Sequence, residues 1–408
     1  MKEIRQLKQR EHDFAAKLKQ ASVVERLKAY IEHQRHPAED RNPMDLQPFS
    51  PVSINLDLTS ACNFACPHCV DAAILNSGEA LTLDSIEGIL ETLIPRGLLS
   101  VILLGGGEPT LHKDFEAVVA RIKEKGVQLG IVTNGSRLER VARVAEMLEK
   151  HDWVRLSIDA AREETWQRMH RPKSALTLQD MLARAARLKT INPSISLGYS
   201  FVIVWEGIMV NENPLATNLD EIAAAVELAA KYSFDYVSFK PCLLRLPQSE
   251  KETLLYGVKK ETENRIRQTI EHNLEQARKA GDDKVKVLES VNLRALLENR
   301  IDDLKRQPKV CHMQFFRTVL SPAGIFHCPA FRGVDKAKIG ERDGYNAEAA
   351  FMETQRELAK SLKTFDAANE CCDIGCFYHH VNWWLEDFIR SGQRTDDIDT
   401  LLDDNFFL

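Results

Sequence analysis

The amino-acid sequence predicts an α/β protein built on a partial barrel of six strand–helix units, (β/α)6, TIM-like in its connectivity. Three observations predict it. Short aliphatic runs alternate with helical segments six times between residues 52 and 245, as in a parallel sheet with crossover helices. Several runs are apolar on one side and polar on the other. Two chemistry-bearing loops, one cysteine-rich and one glycine-rich, directly follow the first two runs, at the strand ends where barrels build their sites.

Residues 1–35 read as a helix with Ile4, Leu7, Phe14, Leu18, Leu27 and Ile31 on a charged background. Pro37, Pro43, Pro48 and Pro51 then mark a linker, so 1–51 is expected to be a helical arm. The barrel core is expected over 52–245. Its strands are Val52–Leu58, Leu99–Leu104, Gln128–Thr133, Trp153–Asp159, Ser194–Val204 and Tyr236–Lys240. Helices fit between them near 83–95, 113–125, 137–150, 163–190 (interrupted at Pro172) and 219–231. A helical connection over 246–310 follows, with a charged helix at 249–281, a short strand at Lys284–Leu288 and a helix at 290–306. In 311–408, Gln314–Leu320 and Ile325–Cys328 flank Ser321-Pro322-Ala323-Gly324, a hairpin signal. An aromatic-rich helix and an acidic tail end the chain.

Alternation orients the strands. Ile54, Leu56 and Leu58 leave Asn55, Asp57 and Thr59 on the other face; Val154, Leu156 and Ile158 leave Arg155, Ser157 and Asp159; Val237 and Phe239 leave Ser238 and Lys240. A structural barrel fills its lumen with aliphatic layers, so a polar lumen implies a ligand inside.

Composition narrows the function. Apolar residues make up 44% and charged residues 28%, and the net charge is −6, which argues against a nucleic-acid platform. No apolar stretch is long enough to span a bilayer, and Met1-Lys2-Glu3-Ile4-Arg5 lacks the character of a secretory signal. A cytoplasmic protein with no membrane partner is expected. Nine cysteines are too few for a disulfide scaffold, and their clustering points to metal.

Cys62, Cys66 and Cys69 lie within eight residues, enough to cover three corners of an iron–sulfur cubane and leave one iron open. Zinc on three cysteines and His68 is the alternative. Gly105-Gly106-Gly107-Glu108-Pro109 follows the second strand and lacks the Gly-Lys-Ser/Thr ending of a phosphate loop. A glycine backbone with one acid suits an ammonium group.

Together, Cx3CxxC after the first strand and GGGEP after the second resemble the radical S-adenosylmethionine superfamily. The resemblance implies that Cys62, Cys66 and Cys69 hold a 4Fe–4S cluster whose open iron takes S-adenosylmethionine. It implies that Gly106, Gly107 and Glu108 bind the methionyl amine. Ser157 and Asp159 would contact ribose and carboxylate, and Asn134 would stand behind them or serve as a turn residue. The chemistry implied is cleavage of the sulfonium to a 5′-deoxyadenosyl radical, fed by an external flavodoxin- or ferredoxin-type reductant.

Cys311, Cys328, Cys371, Cys372 and Cys376 flank the hairpin and a dense later group. They resemble the twitch or shortened SPASM extension, which implies an auxiliary 4Fe–4S cluster on Cys311, Cys328, Cys372 and Cys376, with Cys371 as alternate to Cys372. An oxidoreductase-like enzyme acting on a small polar metabolite is expected, with a peptide substrate or a zinc-stabilised binding protein as alternatives. Ser238 and Lys240 are substrate candidates, and Lys240 and Cys242 candidate catalytic groups, from their place at the end of the sixth strand.

Overall fold

The six expected strands form, in a computed structural model that describes residues 14–37, 40, 41, 43–46, 48–210, 212–245, 252–254, 260–282, 284–372 and 374–403. They are β1 (Ser53–Leu56), β2 (Ser100–Leu103), β3 (Gln128–Thr133), β4 (Trp153–Ser157), β5 (Ser196–Ile203) and β6 (Tyr236–Pro241). Each pairs in parallel with its neighbour in chain order. Two further parallel strands enlarge the expected barrel. β7 (Lys286–Glu289) adds to β6, and β8 (Arg317–Ser321) adds to β1. Among the described residues β7 remains an edge, so the sheet does not close. The hairpin is present: β8 turns at Ser321–Gly324 into antiparallel β9 (Gly324–Phe326), followed by β10 (Lys338–Gly340).

Side-chain alternation sorts the two faces as the sequence predicts. Ile54, Leu56, Val154, Leu156, Leu197, Phe201, Val237 and Phe239 are fully buried on the side facing the helices. Asn55, Arg155, Ser157, Ser200 and Ser238 occupy the alternate positions, toward the lumen. Burial of the first set supplies the main driving force for this layer.

The helices show where local chemistry decides boundaries. The expected single helix over 1–35 is, in its described part, two: α1 (Phe14–Leu18) and α2 (Val24–Arg35). Residues 1–13, with Ile4 and Leu7, lie outside the described residues. In the core come α3 (Leu83–Leu93), α4 (Phe115–Glu124), α5 (Leu138–Val144), α6 (Glu163–His170), α7 (Leu178–Ile191) and α8 (Ile222–Lys231). Thr82 and Thr177 cap α3 and α7 by accepting from Ser85 N and Asp180 N. α6 stops where Arg171 turns left-handed (φ 45°) before Pro172. The connection holds α9 (Lys260–Gly281) and α10 (Val291–Leu297); the expected start of the charged helix near 249 falls partly outside the described residues. The C-terminal part adds α11 (Glu348–Thr364) and α12 (His379–Ser391).

The N-terminal helices pack on this C-terminal part. Tyr30 of α2 stacks on Phe315 at 4.8 Å, and its Oη lies 2.8 Å from His312 Nδ1. Phe14 of α1 meets Tyr378 edge-on at 4.9 Å. Arg26, buried, donates to the carbonyls of Ser50 and Gly97.

Candidate functional site

The Cys62–Cys69 loop leaves the C-terminal end of β1 and is pinned from three sides. Cys62 N donates to Asn76 Oδ1 at 2.9 Å, and Ala65 N donates to His170 O. Asn134, just past β3, points Nδ2 at Cys62 Sγ (4.0 Å) and donates to Asn63 Oδ1 (3.0 Å). Its Oδ1 also accepts from Ser136 N, so it is a turn residue and a support for the loop at once.

Burial pushes all three thiols up. Cys69 rises to about 11, and Cys66 rises well above the ordinary range because Cys69 and Cys62 also repel its thiolate. Burial thus favours the neutral thiols, and a bound metal would be needed to hold the three as thiolates. Among the described residues, no three His, Cys, Asp or Glu side chains are close enough to share one ion. A cubane instead takes each thiolate on a separate iron, which is the donor set this loop offers. His68 Nε2 lies 3.4 Å from Asp159 Oδ2, and among the described residues the ring joins no three-ligand group that could hold one zinc ion.

The glycine loop lies against the cysteine loop through its backbone. Glu108 N donates to Ala61 O at 2.8 Å. A Cβ on Gly107 would sit 2.1 Å from Thr59 O, and one on Gly105 would sit 1.8 Å from Gly107 O; only glycine permits this approach. Glu108 also braces the loop. Its carboxylate is buried and accepts from Thr110 N (3.1 Å), Thr110 Oγ1 (2.5 Å), Thr133 Oγ1 (2.7 Å) and Asn134 N (2.7 Å). Three of these bonds fall on Oε1 and one on Oε2, and they join this loop to the end of β3.

Asp159 is braced in the same way. Its backbone is left-handed (φ 55°), Oδ1 accepts from Val202 N at 2.7 Å, and Oδ2 lies 3.4 Å from both His68 Nε2 and His170 Nε2. Burial pushes this carboxyl up, but His68, His170 and the Val202 amide together hold it below its usual range. Its oxygens thus brace His68, His170 and the start of the segment after Ser200. His170, which nothing in the sequence singled out, places Nδ1 3.3 Å from Cys66 Sγ and Nε2 2.8 Å from Ile158 O. Burial lowers its pKa to about 4, so it is neutral at pH 7. Ser157 lies one residue pair below Asp159 on the lumen face, half-buried.

On β6, Ser238, Lys240 and Cys242 follow one another on one face. Ser238 is buried with Oγ unpartnered among the described residues, and Lys240 is partly exposed. Cys242 is buried and its thiol is pushed up to about 12 by burial, with Asp159 adding to the effect.

A second group of sulfurs gathers beneath the hairpin. Burial, with Cys311 and Cys328 close by, pushes the Cys376 thiol well above its ordinary range. Cys371 lines the same hollow as Cys328, Cys376 and Tyr378. Cys372 is exposed. The expected preference for Cys372 is therefore reversed: the turn Cys371–Cys372 directs the first side chain inward and the second outward. Asn382 of α12 donates to Cys311 Sγ at 3.6 Å.

The two groups are joined by Arg332, four residues past Cys328. Its Nε lies 2.8 Å from Asp57 Oδ2 and its Nη1 2.7 Å from Asp71 Oδ2, with Gly105 O at 3.5 Å. Burial raises Asp57 to about 6 against the pull of Arg332.

Residues 56–204 match the Radical SAM superfamily. The "S-adenosylmethionine-dependent nucleotide dehydratase" of Selenomonas ruminantium is 30% identical over 154 residues, 37% of this chain and 56% of that protein. The chain thus spans just over half the length of that relative. Two solved structures share the fold at lower identity. SuiB of Streptococcus suis, bound to S-adenosylmethionine, has a TM-score of 0.57 at 16% identity, covering 88% of this chain and 78% of its own. anSMEcpe with bound AdoMet has a TM-score of 0.54 at 15% identity, covering 86% and 100%. At these identities the likeness is one of fold. The Cys62–Cys69 and Gly105–Glu108 loops, at the ends of β1 and β2, both lie within the segment 56–204 that matches the Radical SAM superfamily, and that segment of the chain is a radical S-adenosylmethionine domain.

Proposed function

We propose that this radical S-adenosylmethionine enzyme acts on a small polar metabolite held in the barrel lumen, in a net oxidation or rearrangement. When bound, a cluster on Cys62, Cys66 and Cys69 with S-adenosylmethionine supplies a 5′-deoxyadenosyl radical, and a second cluster on Cys311, Cys328, Cys371 and Cys376 supplies an electron acceptor. The observation that carries this reading is the meeting of three half-buried thiols with a glycine loop whose backbone bonds directly to theirs, Glu108 N to Ala61 O.

The chain's own residues prepare the site. Asn134 and His170 hold the cysteine loop at Cys62 and Cys66. Asp159 holds His68 and His170 in turn. Gly105 to Gly107 present bare backbone, and the lumen row Ser157, Ser200 and Ser238 offers hydroxyls at one level of the sheet. Cys242, just past β6, stays a neutral thiol at pH 7.

The N-terminal arm favours a small substrate. Its described helices are packed into the C-terminal part through Tyr30 and Phe14, rather than offered as a free peptide-binding module. A peptide substrate is the second reading. It takes support from neighbours of like fold solved with peptides, SuiB with its precursor peptide SuiA and anSMEcpe with the Cp18Cys peptide.

The test is anaerobic reconstitution. Brown protein with about eight irons per chain, forming 5′-deoxyadenosine under a strong reductant, is expected, and Cys66→Ala should form none. Colourless protein retaining zinc would overturn the proposal in favour of a binding protein.

A further inference from the structure

The run from Arg168 to Lys173 lies along the cysteine loop. Lys173 N donates to Asn63 O at 3.3 Å, and Ala65 N donates to His170 O at 3.1 Å. Two backbone bonds thus seat the end of α6 on residues 63–65. Phe64 is buried edge-on against Trp166 of α6 at 5.9 Å, which fixes the helix to the loop. Ala65, between Cys62 and Cys66, is exposed, so the loop meets solvent beside this run.

Arg168, Arg171 and Lys173 are all exposed there, and among the described residues none of the three lies in an ion pair. Arg121 and Arg162, also exposed, sit instead on Glu87 and Asp220, each at 2.7 Å. The helix macrodipole accounts for Arg168 in the last turn of α6, but not for Lys173, beyond its end. Nor does the turn ask for Arg171. Its φ is 45°, in the left-handed region where glycine is the easy residue.

Three unpaired cations in a chain of net charge −6 make this edge a local positive patch, and such a patch steers partners of the opposite sign. The groove between β10 and α11 has the contrary character: Asp335, Glu341, Asp343, Glu353 and Glu357 line it, with Lys338 against them. A cluster on Cys62, Cys66 and Cys69 takes its electron from outside, and the carrier has to bring its own cofactor close to that loop. We infer that Arg168, Arg171 and Lys173 form the docking face for an acidic one-electron carrier protein. One electron leaves the reduced carrier and enters the cluster; the carrier is oxidised by one, the cluster is reduced by one, and no bond or proton moves at this face. Redox encounters of this kind bury little surface, so a few charges decide them. This rests on the proposed function only for the cluster that receives the electron, and it adds where the partner sits.

The test follows binding of a strongly acidic flavodoxin to the reconstituted full chain by calorimetry as salt is raised. Saturable binding is expected, weakening at least about tenfold between about 50 mM and about 300 mM salt. Arg168→Glu with Lys173→Glu should weaken binding about tenfold or more at the lower salt and flatten the salt dependence. Arg171→Gly, which suits the turn, should weaken it less. Lys150→Glu, at an exposed site before β4 and so at the far end of the sheet, should leave both unchanged. Cluster reduction by the flavodoxin hydroquinone should slow with the loss of binding, while the 5′-deoxyadenosine formed with excess dithionite stays at the wild-type amount. No saturable binding by the wild type, equal binding by the double variant, or an equal loss in Lys150→Glu would overturn the face. So would sodium phosphate displacing flavodoxin better than sodium chloride at equal ionic strength, which would assign the cations to a small anion. A loss of dithionite-driven product as large as the loss of binding would place these residues in the cofactor site and overturn it too. If the double variant fails to fold, Arg168→Gln and Lys173→Gln decide singly by the same comparison. Wild-type protein that binds flavodoxin but forms no 5′-deoxyadenosine with dithionite would sink the radical reading and leave the docking face standing.

Discussion

Arg332 Nε lies 2.8 Å from Asp57 Oδ2, joining the segment after the C-terminal hairpin to the strand that launches the cysteine loop. The same guanidinium reaches Asp71, two residues past Cys69. A single side chain from one cysteine group therefore fixes the frame of the other.

Arg332→Met should leave two buried carboxylates without a cation and cost about 3–5 kcal/mol in urea unfolding at pH 8. Asp57 in the fold titrates near 6, above its unfolded value of 3.8, so the folded state binds its proton first. Stability from this group falls as pH rises through that window. The deficit of the variant should therefore shrink between pH 8 and pH 5, where Asp57 becomes neutral; an equal deficit at both would contradict the pairing.

Cys371→Ser and Cys372→Ser should separate cleanly. The first is expected to lower reconstituted iron from about eight to about four per chain, because Cys371 lines the hollow with Cys328 and Cys376. The exposed Cys372 should be replaceable with no loss. Iron and sulfide assays of both proteins decide it.

Gly107→Ala should abolish S-adenosylmethionine binding, since its methyl would meet the Thr59 carbonyl at 2.1 Å and only backbone movement could relieve it. Gly106→Ala meets the Ile74 Cδ1 atom at 2.7 Å, the movable end of a side chain. It should bind within about tenfold of wild type, a cost near 1.4 kcal/mol or less. Equilibrium dialysis with labelled cofactor measures both.

His327 is buried, with both ring nitrogens unpartnered among the described residues, against Phe365 at 4.5 Å. Burial lowers its pKa to about 4. The unfolded chain takes up a proton near 6.5, while the folded one resists until about 4. The stability it confers is thus full above pH 6.5 and is lost as pH falls toward 4, by up to about 3 kcal/mol. His327→Phe should remove that part of the acid sensitivity in unfolding titrations at pH 7 and pH 5.

Local signals in the sequence carried the six core strands, the hairpin at Ser321–Gly324 and the first cysteine trio, because each depends on neighbours close in the chain. Alternation along β4 and β6 even placed Arg155 and Ser238 in the lumen. What escaped depends on distant partners. Nothing local ties Glu108 to Thr133 and Asn134. Nothing local brings His170 beside Asp159 either. No periodicity distinguishes Cys371 from Cys372, since a turn rather than a helix or strand decides which faces inward. The seventh and eighth parallel strands were legible only as short runs, and their pairing with β6 and β1 is tertiary.

The pairing of β1 with β8 has a consequence for biogenesis. Ser53 is matched to Arg317, so one edge of the first strand waits on a segment that leaves the ribosome roughly 260 residues later, a costly loop to close. Until then its unpaired amides and carbonyls are a template for other nascent chains. Expression at low temperature, or beside a holdase chaperone, should raise the soluble yield of this protein more than any surface substitution.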